Sequence, residues 1–243
     1  MNGRLRAFVR LLSVQGAWSY ERMQGVGMGY AAEPLLRDLR DADPTRHADA
    51  VVRSAEFFNS HPYLAGLALG ASIRAEYEQV PGEQISRLRT ALCGPLGALG
   101  DQLFWSGVLP GLVGFALAGI GLGGGVWGVL VFVVVYNALR LFTGYWALGA
   151  GLASGLKVGH TIAQSWLPRA ARAVGPVAGF AVGFAIPLIA KWLLSLGPVP
   201  RPVLALIVAV VGAGLSLRFG ARVTAVRFGL TLLSLTVVWR WMA

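Results

Sequence analysis

Asp101 is the last acidic residue of the 243-residue chain, and it lies in the glycine-rich segment GPLGALGDQLFWSGVLP, residues 94–110. Intramembrane aspartyl proteases carry an aspartate in a similar motif, but their chemistry needs a second carboxylate that shares a proton with the first. No Asp or Glu follows Asp101, and the preceding acids all lie in the polar first hundred residues. The sequence therefore disfavours an intramembrane hydrolase.

The other side chains that commonly do chemistry are few and scattered. The three histidines, at positions 47, 61 and 160, lack the spacing of metal ligands, and no glycine-rich loop ends in Gly-Lys-Ser/Thr. Cys93 is the sole cysteine, so the chain offers neither an internal disulfide nor a thiolate cluster. We therefore expect no catalytic residue, no metal site and no cofactor in this chain.

The composition is that of a membrane protein. Apolar residues make up 56% of the chain and charged residues 13%, and there are 33 glycines. Residues 1–101 contain 11 Lys/Arg and all 11 acids, whereas residues 102–243 contain 10 Lys/Arg and no acid. These cationic residues lie singly or in small groups between apolar runs and do not form a basic stripe between aromatic residues. This distribution disfavours nucleic-acid binding. Such cations are typical of the cytoplasmic loops that anchor membrane spans.

Residues 1–90 are predicted to form a polar, amphipathic helical region that is cytoplasmic or lies at the membrane interface. Helical spacing in residues 48–58 places four apolar side chains on one face: Val51, Val52, Ala55 and Phe58. Such a face covers other parts of the same protein or lies along the bilayer surface, and both interpretations stay open. Proline and small polar residues predict loops at residues 41–46 and 79–83.

Residues 91–243 are predicted to form the membrane domain of an all-α integral membrane protein. The 38 residues from Gln102 to Leu139 carry no charge, and one straight helix of that length measures about 57 Å, far more than a hydrocarbon core of about 30 Å. The run must therefore fold back or cross twice, with breaks offered by Pro110 and the glycine cluster at 119–125. Shorter apolar runs follow at residues 141–156, 173–190, 202–217 and 228–239. We expect four to six membrane segments.

The Gly/Pro-rich segment 94–110 is predicted to form a re-entrant hairpin that lines a polar passage, because irregular backbone at membrane depth is tolerated only beside protein or water. In this interpretation Asp101 and Gln102 hydrogen-bond sugar hydroxyls, and Trp105 offers a sugar ring an apolar face. The alternatives are that Asp101 caps a helix beginning at Leu103 and that Trp105 anchors the chain at the membrane interface.

Asn59 and His61, which precede Pro62, are two further candidates for the substrate path. Asn59 can instead end the helix that precedes it. A lone histidine is more often a structural residue than a ligand. Both alternatives stay open.

Two stripes of glycine at four-residue spacing predict close helix packing. They comprise Gly151, Gly155 and Gly159, and Gly175, Gly179 and Gly183. Such stripes let helix backbones approach closely in lipid, where packing replaces the hydrophobic effect as the driving force. The contacts lie either within this chain or between subunits.

Four stretches of the chain carry motifs in a specific order. They are QGAWSYERMQ at residues 15–24, EFFNSHPY at 56–63, the segment 94–110, and NALR at 137–140 with Thr143 and Tyr145. Together they resemble, in order and spacing, the IID subunit of mannose/fructose/sorbose-type sugar phosphotransferase systems (PTS). The likeness covers residues 1–160 well, and the remainder only in hydropathy and position.

The resemblance implies an integral membrane subunit that pairs with a IIC membrane subunit to form the channel for a hexose. Cytoplasmic IIA and IIB proteins carry the phosphohistidines of such systems, so no phosphorylated residue is expected in this chain. The resemblance also implies a homotrimeric assembly with IIC, a multi-pass location in the bacterial cytoplasmic (inner) membrane and a cytoplasmic N-terminal region. Residues expected to pack on a partner or in helix contacts are Trp18, Glu21, Arg22, Gly175, Gly179 and Gly183.

The chain departs from the family pattern near Asp101. Gln102 stands where the family often has Ser or Pro, and Leu109 stands where it often has an arginine. Loss of that arginine removes a charge from the predicted polar passage. The alternative function is therefore a membrane scaffold or regulatory subunit that keeps the family fold without conducting sugar.

Overall fold

Nine α-helices make up most of residues 3–195, the part of the chain that the computed structural model describes. They are α1 (Arg4–Leu11), α2 (Gly25–Ala42), α3 (Pro44–Ser54), α4 (Ala65–Tyr77), α5 (Gly82–Gly100), α6 (Leu109–Gly119), α7 (Val126–Ser154), α8 (Val158–Gln164) and α9 (Leu167–Ser195). Residues as far as Ile189 belong to one compact unit, and residues 190–195 continue α9 at the start of a second. The predicted all-α fold is confirmed for the described residues.

The polar first part of the chain is helical, as predicted, but its α3 helix is shorter than the sequence suggested. α3 ends at Ser54, and Phe58 is buried beyond the end of the helix. Val51 and Val52 are exposed. The predicted apolar face of residues 48–58 is therefore wrong, because the chain leaves the helix before Phe58 enters the core.

A buried carboxylate joins α3 to α4. The Glu76 side chain of α4 receives the Arg53 Nε at 2.7 Å and an Arg46 amino group at 3.0 Å, and both arginines come from α3. Asp43 caps α3 by accepting a hydrogen bond from the Arg46 N–H at 2.9 Å. A buried charge is tolerated only when it is paired, so these contacts fix the two helices against each other.

The segment 94–110 is helical throughout, so the predicted re-entrant turn is not found there. α5 continues through a π-helical stretch at Asp101–Val108 into α6. Pro110 has no N–H to donate to the carbonyl oxygen of Ser106, four residues earlier. The backbone nevertheless stays helical on both sides of the π-helical stretch, at Gly100 (φ −70°, ψ −41°) and Leu109 (φ −62°, ψ −57°). The proline and glycines of this segment therefore modify the helix instead of breaking it.

The chain folds back at Gly123–Gly125, within the glycine cluster that the sequence offered as a break. Gly123 (φ 92°) and Gly125 (φ 53°) adopt left-handed backbone conformations, which glycine reaches at little cost because it lacks a Cβ atom. α7 then packs closely on α6, since a Cβ atom on Gly128 would lie 2.7 Å from the Ala116 carbonyl oxygen. The predicted fold-back of the charge-free run is confirmed.

Within residues 3–195, two helical runs are long and apolar enough to cross a membrane, Gly82–Gly124 and Val126–Trp192. In the second run the backbone turns at Gly155 (φ 51°) and again at the end of α8. The structure does not confirm a count of four to six membrane segments. The predicted spans 202–217 and 228–239 lie outside the described residues.

α4 packs against α7 through glycines on both helices. A Cβ atom on Gly70 of α4 would lie 2.5 Å from the backbone nitrogen of Leu152, and Gly66 lies one turn earlier on the same face. On α7, a Cβ atom on Gly151 would collide with the Leu67 carbonyl oxygen. Only residues without side chains permit backbone contact of this kind. A helix of the polar region is thus attached directly to an apolar helix.

Of the first predicted glycine stripe, Gly151, Gly155 and Gly159, only one residue takes part in the contact between α4 and α7. Gly151 packs on α4, Gly155 forms the turn after α7, and a Cβ atom on Gly159 would meet nothing within 4 Å. The stripe is interrupted because α7 ends at Ser154, so its residues do not share one helical face.

The second predicted stripe makes no close contact within the described residues. Gly175, Gly179 and Gly183 lie on an exposed face of α9, and a Cβ atom on any of them would meet no described atom within 4 Å. α9 instead packs on glycines of α6 through Ala178 and Ala181. Contact of this stripe with a partner stays a prediction.

Replacing Gly151 tests the contact between α4 and α7. We expect Gly151→Ala to lower the free energy of unfolding by about 1–3 kcal/mol, because the added methyl group collides with the α4 backbone. Gly159→Ala is the matched control, since its methyl group meets nothing within 4 Å and alanine favours a helix. Thermal unfolding of both purified variants in detergent measures the difference. Equal stability would contradict the packing described above.

Candidate functional site

A cavity of about 490 Å³ opens where three distant stretches of the sequence meet. Four of the five predicted substrate-path residues line it: Asn59, His61, Asp101 and Trp105. Gln102 does not belong to the lining, although it is adjacent to Asp101 in the chain. The volume falls within the range of small-molecule sites, about 300–1,000 Å³.

The loop that carries Asn59 and His61 is held in position by Gln24. The buried Gln24 amide donates to the Ser60 carbonyl oxygen at 2.6 Å and accepts from the Ser60 N–H at 3.4 Å. The Gln24 N–H donates to the Phe58 carbonyl oxygen at 2.8 Å. Leaving such a buried group unpaired costs about 1–3 kcal/mol, so Gln24 fixes the backbone of the loop.

Arg89 of α5 holds the start of the same loop. Its guanidinium group donates to the carbonyl oxygens of Ser54 at 3.1 Å and Glu56 at 3.3 Å, and it lies 5.5 Å from the centre of the Phe58 ring. Arg89 is itself buried. The loop and α5 are therefore fixed to each other, which brings the second and third motifs to one cavity.

His61 packs against the π-helical stretch. Its ring stacks on Phe104 with 5.2 Å between centroids and lies 5.1 Å from the Trp105 ring. Gly100 makes room for this contact, because a Cβ atom there would collide with the His61 side chain. Tyr63 closes the cluster with its ring edge-on to His61 at 4.8 Å.

The His61 ring is neutral at physiological pH and presents an unpaired donor. Burial lowers the pKa of His61 from 6.5 to about 4. Its Nδ1 accepts a hydrogen bond from the Tyr63 N–H at 3.3 Å, so the neutral ring carries its proton on Nε2. This Nε2 is buried and has no hydrogen-bond partner among the described residues. An unpaired buried donor costs free energy until an acceptor reaches it, and His61 itself lines the cavity.

Asp101 is the one carboxylate in the lining of the cavity. Its backbone is helical (φ −65°, ψ −42°), and the helix runs through it, so Asp101 does not cap a helix that begins at Leu103. The residue is exposed, and its carboxylate can accept hydrogen bonds from hydroxyl groups. Trp105, 46% exposed, offers an apolar ring beside it.

Gln15, Gln24 and Ser60 also line the cavity, and the sequence analysis missed them as site residues. All three lie inside the motifs at residues 15–24 and 56–63. Their position within those motifs could have identified them as site residues. Among residues 3–195, the structure contains no group of three or more His, Cys, Asp or Glu side chains that could hold a metal ion.

The residues predicted to contact a partner subunit lie on the surface of the polar region. Trp18, Glu21 and Arg22 are exposed in the segment between α1 and α2, which is not helical. The Trp18 ring meets the Tyr20 ring edge-on at 4.9 Å. Their contact with a partner stays a prediction.

The fold and the cavity define a class: an all-helical protein with apolar runs of membrane-spanning length and a small polar cavity beside them. Residues 2–196 match the sequence model of the PTS system mannose/fructose/sorbose family IID component. The chain belongs to this family, whose members are membrane components of sugar transport. The predicted family and the membrane class are thereby confirmed.

Individual relatives agree with the family assignment. The mannose-specific EIID component of Escherichia coli (strain K12) is 30% identical over 190 residues, 76% of this chain and 66% of the relative. The fructose permease IID component of Bacillus subtilis (strain 168) is 30% identical over 76% of this chain and 67% of the relative. This chain therefore spans about two thirds of the length of these relatives.

A solved structure has the same fold. The mannose transporter ManYZ, determined by cryo-electron microscopy in complex with microcin E492, contains a chain that superposes with a TM-score of 0.58. The two sequences are 29% identical, and the match covers 75% of this chain and 69% of that chain.

Replacing Gly100 tests the packing of His61. We expect Gly100→Ala to displace the His61 loop and to lower the free energy of unfolding by about 1–3 kcal/mol, because the methyl group overlaps the imidazole side chain. Gly97→Ala, one turn earlier on α5, is the control, since the nearest neighbour of its methyl group lies 4.0 Å away. Thermal unfolding in detergent distinguishes them. A Gly100→Ala variant as stable as Gly97→Ala would refute the close contact.

The pKa of His61 predicts a pH-dependent stability. Because the folded pKa of about 4 lies below 6.5, the unfolded chain takes up a proton first as the pH falls between these values. Folding is therefore weakened at pH 5 relative to pH 7, by on the order of 1 kcal/mol. We expect His61→Gln to reduce the fall in melting temperature between pH 7 and pH 5. The exposed His160→Gln variant should keep the wild-type fall. Identical pH profiles for wild type and His61→Gln would contradict this expectation.

Proposed function

We propose that this chain and a IIC membrane subunit together form the passage for a hexose of the mannose/fructose/sorbose class. Sugar entry is coupled to its phosphorylation by a cytoplasmic IIB protein, which receives the phosphoryl group from IIA. This chain contributes binding and positioning groups to the passage, and no phosphorylated residue. The cavity lined by Asn59, His61, Asp101 and Trp105 is the proposed sugar site.

The chemistry of the cavity lining is the observation that carries this proposal. A hexose is neutral and presents many hydroxyl groups, each of which both donates and accepts hydrogen bonds. The Asp101 carboxylate accepts hydrogen bonds from such hydroxyl groups, and the His61 Nε2–H donates one. The Asn59 side-chain amide can both donate and accept. The Trp105 ring supplies the apolar surface on which the C–H face of a sugar packs.

The attachment of the cavity loop to the apolar helices also supports a transport role. Tyr63, beside His61, meets Tyr136 of α7 with 3.1 Å between the hydroxyl oxygens. The Tyr63 carbonyl oxygen lies 3.9 Å from the position of a Cβ atom on Gly144. The loop that lines the cavity is therefore packed directly on α7.

The assembly and orientation belong to the same proposal. The chain is a multi-pass protein of the bacterial cytoplasmic (inner) membrane and forms a trimeric assembly with IIC. Residues 1–90 lie on or near the cytoplasmic side, and residues 91–243 form the membrane domain. The α4 contact supports this arrangement, because it joins α7 near the end that leads to Lys157, and Lys/Arg-rich loops face the cytoplasm.

Sugar uptake tests the proposed site. Cells that express the chain with its IIA, IIB and IIC partners are assayed for uptake of labelled mannose, glucose, fructose and sorbose. We expect Asp101→Asn to reduce uptake of the transported sugar by about tenfold or more, because a charged hydrogen-bond acceptor is lost. Gln102→Asn is the matched control, since Gln102 is the neighbouring residue but does not line the cavity. Co-purification with IIC verifies that each variant assembles.

Two results would contradict the proposal. Uptake by Asp101→Asn equal to that by Gln102→Asn would exclude the cavity as the sugar path. A wild-type complex that assembles with IIC but takes up none of the sugars would favour the non-transporting scaffold instead.

A further inference from the structure

α1 has two apolar faces, and only one of them is buried. Ala7 and Leu11 pack into the core. Leu5, Val9 and Leu12 are 66%, 56% and 53% exposed, and their spacing of four and three residues places them on one side of the helix. A row of exposed aliphatic side chains on a polar part of the protein requires an apolar partner.

The charges around this row are mainly positive. Arg4, Arg6 and Arg10 lie on α1, which contains no acid, and the first acidic residue of the chain is Glu21. On the neighbouring α2, Glu33 binds both Arg10 and Arg37, and Asp38 lies near Arg6. The four arginines thus outnumber the two carboxylates of this surface.

Contacts with α7 determine where α1 lies along the axis of that helix. The Phe8 ring meets the Tyr145 ring edge-on at 5.4 Å, and the Arg4 guanidinium lies 4.3 Å from the centre of the same ring. Tyr145 lies 19 residues from Val126, or about 28 Å along α7. When Val126 is taken as the start of the hydrocarbon core, that distance matches a core of about 30 Å and places the crossing of α1 and α7 where the hydrocarbon meets the headgroups.

We propose that α1 is an interfacial membrane helix that inserts Leu5, Val9 and Leu12 into the bilayer surface and attracts anionic phospholipid by its positive charge, with Arg6 as the exposed cation. An apolar stripe flanked by arginines on a short helix is the chemistry that anionic lipid surfaces bind. The helix thereby anchors the polar region against the membrane on the side of the proposed IIB contact. This role was not expected from the sequence, where the candidate for such a face was residues 48–58.

Residues 48–58 provide the comparison that makes the proposal specific. Val52 of α3 is 70% exposed, next to Val51 at 40%, and its side chain is of the same type as that of Val9. The exposed acids Asp49 and Glu56 lie nearby in the sequence, and they repel anionic headgroups. The structure therefore offers one exposed valine predicted to meet lipid and one predicted to remain in water.

Site-specific fluorescence quenching in nanodiscs tests the proposal. The full chain, alone and in complex with IIC, carries an environment-sensitive probe at Val9→Cys or Val52→Cys in a Cys93→Ala background. The nanodiscs contain phosphatidylcholine with or without phosphatidylglycerol, and either spin-labelled lipid or aqueous iodide serves as quencher. We expect lipid quenching at position 9 to exceed that at position 52 by at least about twofold, with the reverse order for iodide.

The dependence of lipid quenching on phosphatidylglycerol tests the binding of anionic lipid separately. We expect phosphatidylglycerol to increase lipid quenching at position 9, and Arg6→Gln to reverse that increase, because each arginine near a negative surface strengthens binding by about fivefold. Arg6 is exposed, so its replacement leaves the fold intact.

Four outcomes would overturn the proposal. Iodide quenching at position 9 equal to that at position 52 would place the row in water. Protection of position 9 from both quenchers would mean that protein covers the row, and protection only in the IIC complex would identify a subunit interface. If neither phosphatidylglycerol nor Arg6→Gln changes lipid quenching at position 9, recognition of anionic lipid is excluded.

Discussion

Glycines on α4 and α7 let these helices meet backbone to backbone, and the position of the cavity follows from that contact. α4 begins directly after the loop that carries His61, and the Leu64 N–H donates to the His61 carbonyl oxygen at 3.0 Å. Fixing α4 on α7 therefore fixes the loop beside the apolar helices. Bulkier residues at Gly70 or Gly151 would separate the helices and move the loop away from α5. The polar and apolar parts of the chain form one unit as far as Ile189 because of this packing.

The cavity itself is organised by side chains that do not belong to the proposed substrate path. Gln24 and Arg89 hold the backbone of one loop, and Gly100 gives the His61 ring space to lie against Phe104. These contacts satisfy buried backbone groups, and they leave the His61 Nε2 without a partner among the described residues. The Nε and Nη1 groups of Arg89 are likewise buried without a partner among the described residues. The π-helical stretch contributes as well, because it carries Phe104 and Trp105, whose rings pack on His61.

Two exposed surfaces of the described residues are apolar, and they differ in the charges beside them. The first half of α7 is apolar on its exposed side, with Trp127, Val131 and Val134 as examples, as expected of a helix in lipid. α1 instead combines an aliphatic row with arginines, which is typical of the boundary between lipid and water. α1 meets α7 at Tyr145, about 28 Å along the helix axis from Val126. Both surfaces fit the proposed placement of α1 at the membrane interface.

The sequence by itself determined the class of this protein. Composition, charge segregation and four ordered motifs established a helical membrane protein of the IID family, because these properties depend on residue types and spacing alone. The fold-back at Gly123–Gly125 was also predictable, since a charge-free run of that length cannot stay straight in a bilayer.

Only the tertiary structure decided where each element lies. Residues 94–110 contain glycine and proline that predict a turn, yet neighbouring helices and a π-helical adjustment keep the segment helical. The face of residues 48–58 could not be predicted, because the end of α3 is set by the loop contacts of Gln24 and Arg89. Asn59, His61, Asp101 and Trp105 were each identified from the sequence, but their meeting in one cavity is a property of packing. Contacts between residues distant in the chain depend on the complementarity of surfaces, which a single sequence does not display.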